Sequence, residues 1–162
     1  MNNASVIASN TTSNKIVSDG SNQTNSFLGG VIGLSTGSIS QCYSVQDEIS
    51  VKGNPISSEI GGITGKIQTG KISSSATFNG MFLSYNVNIS NIGGIVGTSD
   101  IEISDCESKS NIISSFNAST SRVGGILGVS NANSTNFVSR NNTITASNSS
   151  DSYCAGLEFY IY

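Results

Sequence analysis

The chain of 162 residues contains no histidine, no tryptophan and a single proline, and only 10% of its residues are charged. An ordinary globular protein has roughly 25% charged residues. Without histidine, the usual general base, the usual imidazole metal ligand and the Ser-His or Cys-His nucleophile pairs are all missing, which excludes hydrolytic triads and His-based zinc sites. Seven Lys and Arg against ten Asp and Glu give a net charge of -3. Phosphate neutralisation needs clustered positive charge, so no nucleic-acid groove is expected. No stretch approaches the ~20 apolar residues of a membrane-spanning helix. Met1 to Ser5 lacks the basic segment and apolar core of a secretion signal. What the chain has instead is 18 glycines and a Ser, Thr and Asn content of about two-fifths, which fits neither a helical bundle nor a charged disordered tail.

These residues are organised by a repeat. Leu28-Gly29-Gly30-Val31-Ile32-Gly33 returns as Ile60-Gly61-Gly62-Ile63-Thr64-Gly65, Ile92-Gly93-Gly94-Ile95-Val96-Gly97 and Val123-Gly124-Gly125-Ile126-Leu127-Gly128, with a degenerate copy at Cys154-Ala155-Gly156-Leu157. The first glycines set a period of about 32 residues, shortening to about 31 in the later copies. Seven residues upstream of the first glycine lies an Asn in every copy: Asn22, Asn54, Asn86, Asn117 and Asn148. Three residues upstream lies a Ser: Ser26, Ser58, Ser90, Ser121 and Ser152. For a residue as frequent as Asn is here, a full five-copy column at a given position arises by chance with a probability on the order of two in a hundred thousand.

The residue types choose among architectures with this period. Helical repeats need Ala- and Leu-rich segments, whereas Ser, Asn, Gly, Thr, Ile and Val are poor or middling helix formers. Short β-branched pieces such as Ser38 to Ser40, Ile49 to Val51, Tyr85 to Ile89 and Thr143 to Thr145 read as strands separated by turns. Two or three such strands per repeat cannot bury a face alone. Stacked repeats can, and the expected fold is all-β: a parallel β-helix, or β-solenoid, of about five coils rising about 4.8 Å each. The expected organisation is one domain, 1–162, with a partial coil over 1–20, coils starting near 22, 54, 86 and 117, and a partial coil over 148–162.

In such a stack each column lies on itself. The Asn column is expected to pass amide hydrogen bonds from coil to coil, and the Ser column to do so more weakly. The aliphatics flanking the glycine pair are three residues apart, which a flat strand cannot place on one face. The Gly-Gly pair therefore reads as a corner that turns both inward, glycine admitting φ values other residues avoid; a straight strand buried on both faces is the alternative. Phe27, Glu59, Asn91, Arg122 and Tyr153, just before the first aliphatic, form the mixture expected of an outward position.

Leu28 to Gly33 followed by Ile39-Ser40-Gln41-Cys42, and Ile92 to Gly97 followed by Ile103-Ser104-Asp105-Cys106, resemble the GLUG-type repeat of secreted and cell-surface proteins. The resemblance spans essentially the whole chain, although the segment after Gly128 departs from it. It implies a β-solenoid serving as a stalk, adhesive region or spacer, and it supplies no catalytic residue.

The remaining candidates have plain readings beside functional ones. Cys42 and Cys106 share a column two coils apart, with Ser75 or a near neighbour between them. That is roughly 9.6 Å, beyond the ~7 Å Cα limit for a disulfide. With Cys154 in another column, all three are expected to be free thiols at small inward positions. Asp100, Glu102, Asp105 and Glu107 form a dense acidic run, read as a solvated edge rather than a Ca²⁺ loop or a glycosidase pair. Eight N-x-S/T sequons occur. Those at Asn22, Asn117 and Asn148 are in the ladder, which leaves Asn3, Asn10, Asn88, Asn133 and Asn141 as glycosylation acceptors. No threonine column repeats in register, as a flat ice-binding face would require.

Counted back from Gly29 by one period, Met1 falls just after the place of a preceding first glycine; counted on from Ala155, Tyr162 stops at about the same phase. The two partial coils therefore add up to about one turn. The expectation is a non-enzymatic, extracellular or cell-surface structural or adhesive β-solenoid without cofactors. Its partners are copies of itself stacked head to tail, or adjoining coils of a longer chain, with glycans as a further ligand class. A polysaccharide-binding or polysaccharide-degrading β-helix is the alternative.

Overall fold

A computed structural model describes residues 5–19, 24–156 and 158–160, the last three as backbone only. The described chain is built from strands and turns, without a helix. All strand pairings are parallel and join equivalent positions of successive repeats, such as Val6 with Ile39, Ile60 with Ile92 and Thr120 with Asp151. The result is a β-solenoid of five coils.

The third coil shows the course of each. It begins with two short strands, Ile72–Ser73 and Ala76–Phe78, in a sheet of eight strands that we term sheet I. Met81–Tyr85 then lies in sheet II, Ile89–Gly93 in sheet III and Val96–Ser99 in sheet IV, each a sheet of five. One repeat thus holds four or five strands rather than two or three, because bends divide what composition alone shows as continuous polar stretches. Tyr85 to Ile89 is one such place: it is a corner between sheets II and III, where Asn86 adopts φ 55°. The segment after Gly128, despite its departure from the repeat, forms Thr135–Arg140 against Ile103–Lys109.

Three of the bends are made by left-handed residues. Ala8, Gln41, Ser74, Asp105 and Asn136 bend sheet I; Ser13, Gln46, Asn79, Ser110 and Asn141 turn from sheet I to sheet II; Asn86, Asn117 and Asn148, with Gly53 in the second coil, turn from sheet II to sheet III. Asn and Asp tolerate this region better than other side chains, and the stacked pairing on both sides holds the rest there.

The fourth corner is the Gly-Gly pair, and it works differently. Its glycines do not have positive φ. They are required because a side chain has no room: a methyl at Gly61 would lie 2.5 Å from the Ile95 carbonyl, and one at Gly30 would lie 2.9 Å from Ser44 Oγ. The corner places both flanking aliphatics inside, but in separate cores. Ile60, Ile92 and Val123 pack with Ile49, Phe82 and Ile113 between sheets II and III. Ile63, Ile95 and Ile126 pack with Ile39, Ile72 and Ile103 between sheets IV and I.

Sheets III and IV consequently fold back on each other. A methyl at Gly65 would lie 2.6 Å from the Glu59 carbonyl, and one at Gly97 would lie 2.6 Å from Ile60 N, so the last glycine of each repeat is the contact between the two sheets. This corrects the outward column. Glu59 and Asn91 point away from the core, yet they are only 7% and 8% exposed because sheet IV covers them. Only Tyr153, in the fifth coil, is exposed.

Candidate functional site

The Asn column of the repeat lies on the outer corner between sheets II and III. Asn54, Asn86, Asn117 and Asn148 are all exposed, and Asn22 falls outside the described residues. Asn117 Nδ2 donates to Asn86 Oδ1 at 3.0 Å. Oriented with its nitrogen toward the carbonyls, Asn54 donates to Gly53 O at 3.2 Å and to Asn86 O at 3.1 Å. In the second coil, however, it is Gly53 that takes the left-handed position, so Asn54 is one residue beyond the site occupied by its counterparts. The sequons at Asn117 and Asn148 are as exposed as those at Asn10, Asn88, Asn133 and Asn141; Asn3 falls outside the described residues. Asn54, Ile56, Asn86, Asn88, Asn117 and Ser119 line a shallow groove of about 470 Å³ along this corner. Beside it, the Tyr85 and Phe116 rings stack at 5.1 Å, with the Lys52 ammonium 5.9 Å from the Tyr85 ring.

The Ser column stacks in register, Ser26 on Ser58, Ser90, Ser121 and Ser152. It is not a hydroxyl ladder. Ser58 Oγ and Ser90 Oγ are buried without partners, and Ser121 Oγ bonds not within the column but to Ser115 Oγ of its own coil and Ser149 Oγ of the fifth, each at 2.8 Å. Its role is to be small enough for the core.

The inward ladder is elsewhere, in a column the glycine alignment hides: Asn14, Asp47, Gly80, Asn111 and Asn142, just past the turn from sheet I to sheet II. Beside it runs a hydroxyl column, Thr11, Ser44, Thr77, Ser108 and Ser139, paired coil to coil. Asn111 is fully buried. Its Oδ1 accepts from Gly80 N at 2.6 Å, and its Nδ2 donates to Ser108 Oγ at 2.9 Å and Thr77 Oγ1 at 3.0 Å. Asn142 repeats this one coil on, accepting from Asn111 N at 2.8 Å and donating to Ser139 Oγ and Ser108 O at 3.0 Å. Asp47 does so in the second coil, accepting from Asn14 N at 2.7 Å, Ser44 Oγ at 2.7 Å and Thr11 Oγ1 at 2.5 Å.

The column drifts against the glycines. Gly80, Asn111 and Asn142 keep one offset from Gly93, Gly124 and Ala155, whereas Asp47 is displaced by a single position relative to Gly61 and Asn14 by one more relative to Gly29. Aligning on the turn rather than on the glycines recovers it. Gly80 interrupts the column for a steric reason: a methyl there would lie 2.6 Å from Phe82 Cζ. Phe82 stands where the neighbouring coils have Ile49 and Ile113, and its ring fills the space the missing amide leaves.

All three cysteines are free thiols. Cys42 and Cys106 are buried, and Cys42 N donates to Ser75 Oγ at 3.2 Å, which confirms Ser75 as the residue between them. Burial pushes the Cys106 thiol up to about 11. Cys154 lies under Val123 as expected, in the core-facing column, and is exposed because the fifth coil ends the described stack there. Burial raises its thiol as well.

The acids are separate rather than convergent. Asp100 is 4.0 Å from Lys66 Nζ and accepts from Asn131 Nδ2 at 2.7 Å; Asp105 accepts from Asn136 Nδ2 at 3.0 Å; Glu107 pairs with Arg140 at 3.2 Å; Glu102 is exposed. Among the described residues no three metal-ligating side chains come together. Glu59 is different. Burial in the fold between sheets III and IV holds its carboxyl above the ordinary range, against the opposing pull of Lys66 and a hydrogen bond from Thr98.

No protein-family model, curated protein or solved structure matches this chain.

Proposed function

We propose that this chain is a structural β-solenoid, a stalk or filament element of an extracellular or cell-surface assembly, with no catalytic role. The observation that carries the reading is that the described stack is open on both faces. Val6–Ile7, Asn10–Thr12, Lys15–Ser18, Asn25–Gly29 and Ile32–Ser35 pair on one side only, and so do Thr135–Arg140, Thr143–Ser147, Asp151–Ala155 and Glu158–Tyr160. Unpaired parallel edges of this length are templates for further strands. Five coils at about 4.8 Å span only about 24 Å along the axis. A unit so short serves as a spacer when it is multiplied, either by copies of itself or by further coils.

The reading as a non-enzymatic protein draws support from the missing histidine and from Asp100, Asp105 and Glu107, which take separate local partners. The exposed sequons at Asn10, Asn88, Asn133 and Asn141 fit an outer surface that carries glycans. The GLUG-type likeness rests on the Gly-Gly corner and on Cys42 and Cys106, and it belongs to the same reading. Sedimentation velocity and negative-stain microscopy of the purified chain test it. Concentration-dependent growth into fibres one solenoid wide is expected, and a monodisperse monomer at all concentrations would sink the filament reading.

A further inference from the structure

We propose that the first and fifth coils form a complementary pair of faces through which a second copy of this chain docks in strict register, the columns of sheets I to III continuing across the junction. The inference rests on the stacking reading above and adds the partner and the register.

The inward ladder supplies the first argument. Its backbone N–H donates to the side-chain oxygen of the same column in the following coil: Asn14 to Asp47, Gly80 to Asn111, Asn111 to Asn142. At the fifth coil the donor in turn is Asn142 N–H. A first coil laid on it in the same register brings the Asn14 amide, exposed at its own end, to the position from which Asn111 accepts the Gly80 N–H. Both ends carry asparagine at this column, so the junction repeats a contact the interior already makes. The interior interruption at Gly80 shows that the column admits other residues where a neighbouring ring demands it.

The other columns agree. Extending the observed pairings by one coil sets Thr11 on Ser139, Ile16 on Ile144, Ser26 on Ser152, Phe27 on Tyr153 and Leu28 on Cys154. In these five columns hydroxyl meets hydroxyl, aromatic meets aromatic and apolar meets apolar, while on the outward faces Asn10 comes to lie on Val138 and Val17 on Thr145. The charged residues of these strands meet neutral ones: Lys15 lies on Thr143, Arg140 under Thr12, Asp151 under Asn25. Like charges directly opposite would oppose the pairing, and this register creates none in sheets I to III. Both cores also run out to the faces. Val6, Ile32 and Ile16 extend them at the first coil, and Phe137, Ile144 and Ala146 at the fifth, all only partly buried; Ile16 and Ile144 meet across the junction, whereas Phe137 comes under Ser9 and Ala146 under Ser18. A one-residue slip would set these inward side chains against outward ones.

Cysteine chemistry reads the register directly. Stacked residues lie about 4.8 Å apart, inside the Cα range of about 4.4–6.8 Å that a disulfide spans. Leu28→Cys in the full chain places a thiol on Cys154 of the next copy. Mild oxidation is expected to give a ladder of disulfide-linked dimers, trimers and higher species, and Leu28→Cys combined with Cys154→Ser is expected to give none. Phe27→Cys with Tyr153→Cys, in a Cys154→Ser background, repeats the test on the outward face should the inward variant assemble poorly. Fibres that form without a cross-link in either variant would overturn the register while leaving stacking intact. A chain that stays monomeric in sedimentation would remove the stacking itself.

Discussion

Asn111 concentrates the logic of the inward corner in one side chain. Its amide oxygen satisfies Gly80 N–H, and its nitrogen satisfies two hydroxyls in a site from which water is excluded. Asn111→Ala leaves that N–H buried and unpaired beside a small void, which costs about 2–3 kcal/mol, measurable by urea denaturation. Asn111→Asp should lose much less at neutral pH. The Asp47 carboxylate already takes the same place in the second coil, where Ser44 and Thr11 turn their hydroxyls to donate. Glu59 gives the opposite kind of residue, a carboxyl that burial penalises. Its folded-state pKa lies above its unfolded value, so the folded protein holds the proton more tightly. Stability is therefore greatest below the unfolded pKa and falls as pH rises toward the folded pKa. Glu59→Gln should flatten that fall in denaturation curves taken between about pH 4 and pH 7; an unchanged slope would show that another group carries it.

The elements of this fold are corners more than strands, and that decides what the sequence discloses. The glycines were legible because only their lack of a side chain allows sheets III and IV to meet, so the identity repeats without exception from Gly33 to Gly128. The Ser column was legible for a similar steric reason, although the hydroxyl ladder expected from it does not form. The left-handed bends were hidden, since Ala8, Gln41, Ser74, Asp105 and Asn136 share a backbone state and no side-chain chemistry. The inward Asn column was obscured by insertions between it and the glycine that follows. The segment from Asp47 to Gly61 is one residue longer than that from Gly80 to Gly93, and the segment from Asn14 to Gly29 is two longer. The segment from Asp47 to Gly61 contains the left-handed Gly53, at φ 105°. If the coil is the true unit, one can be removed whole. Deleting residues 94–124 joins Gly93 to Gly125 at equivalent positions. The shortened chain should still fold cooperatively, with a denaturant m-value lower by about one-fifth. Loss of cooperative unfolding would show that the coils are not interchangeable.

At the scale of the whole molecule, stability is nearly one-dimensional: each coil bonds to the coils above and below, and the two cores run parallel to the axis like twin filled channels. A mutation in one coil should therefore be felt mainly by its neighbours. The separation of a full repeat between stacked positions, as from Val6 to Ile39 or from Ile89 to Thr120, also sets how the fold is reached. Closing the first loop of about 32 residues costs roughly 3 kcal/mol of chain entropy before any ladder contact returns it. The first pair of coils is thus a slow nucleus. Each later coil meets a finished edge and adds quickly, so folding should proceed like growth on a seed; under the proposed stacking, a folded end face would act as that seed for the next chain.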